Sequence, residues 1–100
     1  MMRDDEARQR TYDRLYASMC TLQTPEEACN YLADICSAKE LDDLAQRLEV
    51  ATMLAAGAPY VEVSKATGAS STTVSRVSKC LNGARGGYRL VLSRMDGDKE

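Results

Sequence analysis

Histidine, tryptophan and phenylalanine are absent from this chain of 100 residues, which also contains only two prolines. Because histidine is the side chain that most often titrates near neutral pH, its absence disfavours acid–base catalysis. A tetrahedral zinc site would need all four cysteines, which show no C-x-x-C spacing. We therefore predict that the chain is not an enzyme and that it holds neither a metal nor a cofactor.

Long apolar segments are missing as well. The chain has no apolar run of about 18 residues and no charged-then-apolar amino-terminal segment, so neither a membrane span nor a signal peptide is visible. We predict a cytoplasmic protein without a membrane partner. With 44% hydrophobic residues, the length suits one small domain over residues 1–100, without surface to spare for a deep enzyme cleft.

The four cysteines, Cys20, Cys29, Cys36 and Cys80, are expected to be structural rather than reactive. Cys29 and Cys36 stand seven residues apart, which places both on one face of a helix. Free cysteine is among the most buried residue types and behaves as a small apolar side chain. We therefore predict buried, reduced cysteines, as suits a cytosolic compartment.

Apolar residues recur at helical spacing along the chain, and no segment alternates like a strand. Capping boxes at Thr24–Glu27 and Ser37–Glu40 indicate two helix starts, and Gly57 followed by Pro59 indicates a helix stop. The inward stripe of the third helix is predicted to contain Leu41, Leu44, Leu48, Ala51 and Ala55. The fold class is therefore all-α, with six helices near residues 5–22, 25–36, 38–57, 59–67, 70–81 and 87–95; the tail from Asp96 is expected to fray.

Residues 59–82 are spaced like a helix-turn-helix. Gly68 stands between two short helical patterns, where a tight turn needs a residue that tolerates positive φ. Ser64 is small at the point where the two helices would cross closely, and Ser70 is a natural N-cap for the second helix. The small core between the helices would be filled by Val63, Val74 and Val77.

With the valines turned inward, the other side of the second helix carries short hydroxyl side chains and two cations. Such groups donate hydrogen bonds to phosphates and base edges, so this face is predicted to bind double-stranded DNA. The predicted DNA-binding residues are Ser70, Ser71, Thr72, Ser75, Arg76 and Lys79.

The charges are distributed unevenly, although the formal net charge is only −2. Residues 1–45 contain ten acidic and five basic residues, whereas residues 60–95 contain six basic residues and one acidic residue. Because salt limits the reach of distant charges to roughly 10 Å, a local basic surface can attract a polyanion despite the acidic total. An ordinary solvated distribution of charges is the alternative.

The first two helices carry more apolar surface than a chain of this size can cover by itself. A homodimer would cover it, and residues 5–57 are accordingly predicted to supply the dimerisation helices. Two-fold symmetry would also present two recognition helices to successive major grooves about 34 Å apart. The residues expected to be buried in the dimer are Leu15, Tyr16, Met19, Leu32 and Ile35.

From Leu41 to Leu92 the chain resembles the Trp repressor superfamily, and from Leu15 to Arg94 it is most similar to the small YerC/YecD branch of that superfamily. The segments that carry the resemblance are Ala45–Ala51, Gly68–Ser70 and Thr73–Val77. The resemblance implies an intertwined homodimer with interlocking amino-terminal helices and one helix-turn-helix per subunit. It implies a transcriptional regulator, in the first instance a repressor, that recognises a DNA sequence.

The resemblance also implies an effector site. In Trp repressors two arginines embrace the tryptophan corepressor, and Arg47 and Arg76 stand at the matching positions. The family's glycine that gives the indole room is Val77 here, and its serine that meets the ligand's amino group is Cys80. A branched side chain in that space would clash. We expect tryptophan not to bind, which leaves the effector open; an ion pair on the helix surface is the alternative for Arg47.

Two other classes of protein stay open at this stage. The helix-turn-helix could serve as a protein contact in an assembly module, which would show salt-independent partner binding and no retention on duplex DNA. A small all-helical dimeric enzyme of the chorismate mutase type, which holds a dianion with arginines, would turn over a metabolite in the absence of DNA.

Overall fold

The computed structural model describes residues 3–97, and this part of the chain forms six α-helices and no strand. The helices are α1 (Asp4–Met19), α2 (Pro25–Ile35), α3 (Ala38–Ala55), α4 (Tyr60–Thr67), α5 (Ser71–Leu81) and α6 (Gly87–Gly97). The predicted all-α class with six helices is confirmed. The chain divides into two compact units at Ser37–Ala38, so α3 belongs to the second unit together with α4, α5 and α6. None of the described helices is long and apolar enough to span a bilayer.

Two helix ends differ from the sequence prediction. Backbone bonds from Cys20 to Ala17 and from Leu22 to Met19 tighten the end of α1 into a 3₁₀-type turn, so the helix ends before Leu22. At the other end of the chain, α6 continues through Asp96, where fraying was expected. The remainder of the predicted tail, residues 98–100, lies outside the described residues.

The first unit begins its second helix with the predicted capping box. The Glu27 amide donates to the Thr24 hydroxyl at 3.1 Å, and the Glu27 carboxylate accepts from the Gln23 amide at 2.9 Å, one residue earlier than expected. A hydrogen bond of 2.6 Å between the hydroxyls of Ser18 and Tyr31 joins α1 to α2. These local bonds define the two helices without giving the unit a core.

No residue between positions 3 and 37 is buried. The most exposed large apolar side chains of this unit are Tyr12, Leu15, Tyr16, Met19 and Ile35. Three of the four cysteines are exposed and Cys36 is half-buried, so the prediction of buried cysteines is wrong. The helical face that Cys29 and Cys36 were predicted to share is not formed either, because α2 ends at Ile35 and Cys36 is an extended C-cap residue.

The second unit has a compact core of small side chains. Its buried cluster consists of Val50, Ala51, Val63, Ala69, Val74 and Val77. The predicted inward orientation of the three valines of the helix-turn-helix is confirmed. The predicted inward stripe of α3 is right in part. Ala51 is fully buried and Leu41 and Leu48 are half-buried, whereas Leu44 is 44% exposed and Ala55 is exposed. The stripe also omitted Val50, which is fully buried, and Met53 and Leu54, which pack against the core cluster.

The turn between α4 and α5 follows the sequence prediction and adds polar contacts to it. Gly68 adopts φ +74°, in the left-handed region that glycine enters most cheaply. The Ser64 hydroxyl donates to the carbonyl of Ala69 at 2.5 Å. This small residue therefore leaves room for α4 and α5 to cross closely and also stabilises the turn between them. From α3, the Gln46 amide donates to the carbonyl of Thr67 at 3.2 Å.

The left-handed turn generates a prediction about stability. No atom lies within 4 Å of a Cβ built on Gly68, so Gly68→Ala introduces no clash, only the unfavourable backbone conformation. We expect the free energy of unfolding to fall by about 1–2 kcal/mol, measured by urea titration at fixed protein concentration. Gly87→Ala is the matched control, since Gly87 has equally open surroundings but no positive φ, and it should be neutral or slightly stabilising. Equal losses in the two variants would rule out the backbone as the cause.

Candidate nucleic-acid interface

The second helix of the helix-turn-helix, α5, is anchored at both ends. At its start, the Ser70 hydroxyl accepts from the amide of Thr73 at 3.1 Å, as the N-cap prediction required. At its end, the Arg89 guanidinium of α6 donates to the carbonyl of Gly83 at 2.9 Å and also to that of Leu81. A cation bound to the last carbonyls of a helix is favourable because those groups carry partial negative charge. The hydrogen bonds of Arg89 therefore hold the end of α5 in place.

The two faces of α5 separate as predicted. Val74, Val77 and Leu81 are buried, and all six predicted DNA-binding residues are exposed. Five of these six line one open, concave surface with a volume of about 580 Å³. This recognition surface consists of Ser71, Thr72, Ser75, Arg76 and Lys79, with Tyr60 of α4 beside them. Ser70 is not among its lining residues, and its hydroxyl is occupied by the cap.

Within the part of the chain that the structure describes, no carboxylate neutralises the cations of the recognition surface. Ion pairs in the described residues join Arg3 to Glu6 and Lys39 to Asp43, and neither Arg76 nor Lys79 bonds to a described carboxylate. The surface therefore presents two free positive charges beside three short hydroxyl side chains. That combination suits a polyanion that approaches the helix closely.

Tyr60 is the residue of this surface that the sequence analysis missed. It is the first residue of α4, its side chain is 51% exposed, and its hydroxyl donates to the Ser78 hydroxyl on α5 at 2.5 Å. A single tyrosine at the start of a short helix carries no sequence signal that distinguishes it from an ordinary surface residue. Only the packing of α4 beside α5 reveals it.

The residues predicted for an effector do not form a shared pocket here. Arg47 is exposed and has neither an ion pair nor a hydrogen bond within the described residues, so the alternative of a surface ion pair finds no support. Arg76 lies on the recognition surface. Val77, which replaces the family's glycine, is 3% exposed and belongs to the core.

A separate apolar cleft of about 560 Å³ lies among α3, α5 and α6. Neither Arg47 nor Arg76 lines it. Its lining residues are Leu48, Cys80, Gly83, Ala84, Arg85, Gly87, Tyr88 and Val91. Cys80 therefore lies at the edge of an apolar cleft. In the described part of the chain, no group of three or more cysteine, aspartate or glutamate side chains is placed to hold a metal ion.

The family model of the Trp repressor protein matches residues 10–96. The chain belongs to the Trp repressor family. This family consists of helix-turn-helix DNA-binding regulators and not of enzymes. Membership therefore supports a helix-turn-helix DNA-binding regulator at the level of the family.

This Trp repressor family member has relatives that are similar to it in sequence and in structure. YerC of Bacillus subtilis strain 168, a protein described as uncharacterized, is 40% identical over 94 residues, which cover 94% of this chain and 90% of YerC. A crystal structure of a Trp repressor-like protein from Staphylococcus aureus has a TM-score of 0.84 at 33% identity and covers 96% of both chains. A TrpR-like protein from Eubacterium eligens also has a TM-score of 0.84, at 32% identity over 93% of this chain and 96% of its own.

Proposed function

We propose that the protein is a dimeric transcriptional regulator that recognises a specific sequence of double-stranded DNA, and that it acts as a repressor. The observation that carries the proposal is the recognition surface, where two unpaired cations and three short hydroxyl side chains share the exposed side of α5. The α5 helix is bonded at its two ends, by its N-cap and by Arg89, and packs on a core of valines and alanines. A helix anchored in this way, with this surface chemistry, suits insertion into a major groove.

Ser70 and the α5 residues of the recognition surface have distinct proposed roles. Ser70 and Ser71 stand at the amino-terminal end of α5, which in this docking mode points towards the base edges. Thr72 and Ser75 are short, so the helix can approach closely, and sequence is read partly through water and DNA shape. Arg76 and Lys79 are the charged anchors, with Lys79 on a phosphate and Arg76 within reach of a guanine edge.

Dimerisation is proposed because the first unit lacks a core of its own. Neither α1 nor α2 contains a buried residue, although apolar side chains form a stripe on α1 and recur on α2. So small a unit gains too little from burial to stay ordered unless another surface covers it. A second copy of this chain would supply that surface. It would also add a second recognition helix, related to the first by a two-fold axis.

The proposal is tested most directly by selection of bound duplexes from a random pool. A palindromic motif with half-sites about one helical turn apart would support both sequence-specific binding and the dimer. Placement of the selected site over a promoter should then lower transcription, which would support repression. Retention of a protein partner without any retention of duplex DNA would favour an assembly module, and turnover of a metabolite by the chain alone would favour an enzyme.

The anchoring role of Lys79 and Arg76 leads to a prediction about DNA affinity. Lys79→Ala should weaken binding to all sequences and reduce the slope of log affinity against log salt by about one for each subunit, and so by about two for the dimer, as expected for one lost phosphate contact per subunit. Arg76→Ala should cost about 1–3 kcal/mol and relax the preference at one base pair. The measurement is fluorescence anisotropy of labelled duplexes over a salt series.

Arg94→Ala is the matched control for these two variants. Arg94 is an exposed cation of the same unit that does not line the recognition surface. Its replacement by alanine changes the net charge by the same amount as Lys79→Ala or Arg76→Ala. Its binding should stay close to that of the wild type. Unchanged affinity and salt dependence in both Lys79→Ala and Arg76→Ala would show that α5 is not the DNA-binding helix.

The exposed stripe of the first unit leads to a prediction about assembly. Leu15→Glu should raise the dimer dissociation constant by at least about tenfold, because full burial of a leucine contributes about 1.5–3 kcal/mol. Ala17→Glu adds the same charge on the opposite side of α1, where Ala17 is exposed, and should leave the dimer intact. Sedimentation equilibrium at micromolar concentration distinguishes the two variants. A folded wild-type monomer under these conditions would contradict the dimer.

The buried position of Val77 leads to a prediction about effectors. We expect no saturable binding of L-tryptophan below about 1 mM in isothermal titration calorimetry, because the branched side chain fills space that the family's glycine leaves free. The regulator would then respond to a different small molecule or to none. Saturable sub-millimolar binding that disappears in Arg76→Ala would overturn this expectation.

A further inference from the structure

Tyr60 occupies a boundary position in the second unit. Its side chain lines the recognition surface together with Ser71, Ser75 and the cations of α5. It also lines a separate hollow of about 530 Å³ whose other residues include Leu54, Ala58 and Leu81. Tyr60 therefore lies between the recognition surface and this hollow, along one flank of α5.

That flank of α5 consists of small hydroxyl residues. Ser71, Ser75 and Ser78 follow one another at spacings of four and three, so they lie on one side of the helix. The Tyr60 hydroxyl donates to Ser78 there, and the Asn82 amide donates to the carbonyl of Ser78 at 2.9 Å. A continuous set of hydrogen bonds thus links the first residue of α4 to the C-cap of α5.

This link constrains a motion that the core does not constrain by itself. The valines between α4 and α5 make apolar contacts, which are not directional and tolerate a rotation of α5 about its axis. With a helix radius of about 5–6 Å, a rotation of about 20° moves a side-chain tip by about 2 Å. Hydrogen bonds to base edges do not tolerate such a displacement, whereas attraction to phosphate charge persists.

We propose that Tyr60 is a positioning residue for sequence recognition, and that its hydrogen bond to Ser78 fixes the rotation of α5 about its own axis. The inference rests on the proposed DNA-binding function and names a residue that sets its specificity. According to this inference, loss of the Tyr60–Ser78 hydrogen bond lowers the affinity for the specific sequence and leaves the affinity for unrelated DNA unchanged. Tyr60 acts here through α5, independently of any contact of its own with a base.

The test compares Tyr60→Phe, Ser78→Ala and the double variant on two duplexes, the selected site and a scrambled sequence. Each single variant should bind the selected site about two- to tenfold more weakly, the range expected for one hydrogen bond. Affinity for the scrambled duplex and the salt slope should stay unchanged, because no phosphate contact is removed. The double variant should lose no more than either single variant, because the two side chains act as one unit.

Tyr88→Phe is the matched control. It removes the same hydroxyl from a half-buried tyrosine of α6 that makes no hydrogen bond to a described residue through its side chain, and it should bind both duplexes like the wild type. Urea titration of every variant shows whether folding has changed. The bases preferred by Tyr60→Phe in a fresh selection give a readout that a merely structural role would leave unchanged.

Several outcomes would overturn the inference. Wild-type affinity and selectivity in Tyr60→Phe would do so, and so would additive losses in the double variant. Parallel losses on both duplexes that follow a loss of folding stability would reduce Tyr60 to a structural role. Failure of the wild-type protein to bind any duplex would overturn the proposed function as well, whereas wild-type specificity that is insensitive to Tyr60→Phe would overturn this inference alone.

Discussion

The close approach of α3, α4 and α5 through small side chains is the constraint on which the second unit depends. Every buried residue of its core cluster is a valine or an alanine, and Tyr88 of α6, which packs against the cluster, is only half-buried. Such proximity brings backbone polar groups near one another, and each needs a partner. The hydrogen bonds of Ser64 and Gln46 to the turn around Gly68 meet that need. The small core and the polar turn therefore require each other.

Stability is distributed unequally between the two units. Among the described residues, the second unit holds every buried side chain and the first unit holds none, although α1 carries an apolar stripe. The first unit can therefore become stable only as far as something covers that stripe. In a dimer, folding of α1 and α2 would be linked to protein concentration, and so would the number of recognition helices available to DNA. Assembly and DNA affinity would then change together.

Local signals predicted what local chemistry determines. The left-handed turn at Gly68, the caps at Thr24 and Ser70 and the inward valines depend on neighbours within a few residues, and all of them are observed. Five of the six residues predicted for the DNA face share one surface, because the period of a helix fixes which side chains point together. The stripe of α3 was wrong at Leu44 and Ala55 and omitted Val50, because apolar residues stand on more than one side of this helix and share the same period. Only the packing of α4 and α5 shows which of these residues are buried.

The contacts of Tyr60 and Arg89, which sequence reasoning missed, join separate helices, and that of Arg89 changes how the basic residues are understood. Of the six basic residues between positions 60 and 95, Arg89 is bound to the end of α5, and only Arg76 and Lys79 line the recognition surface. Two cations per chain allow few phosphate contacts, and the counterion-release contribution to affinity scales with their number. In the proposed complex, specific binding therefore depends on a close approach of α5 to the bases and on a fixed orientation of this helix. The residues that position α5 are thus more important for recognition than the sequence alone indicated.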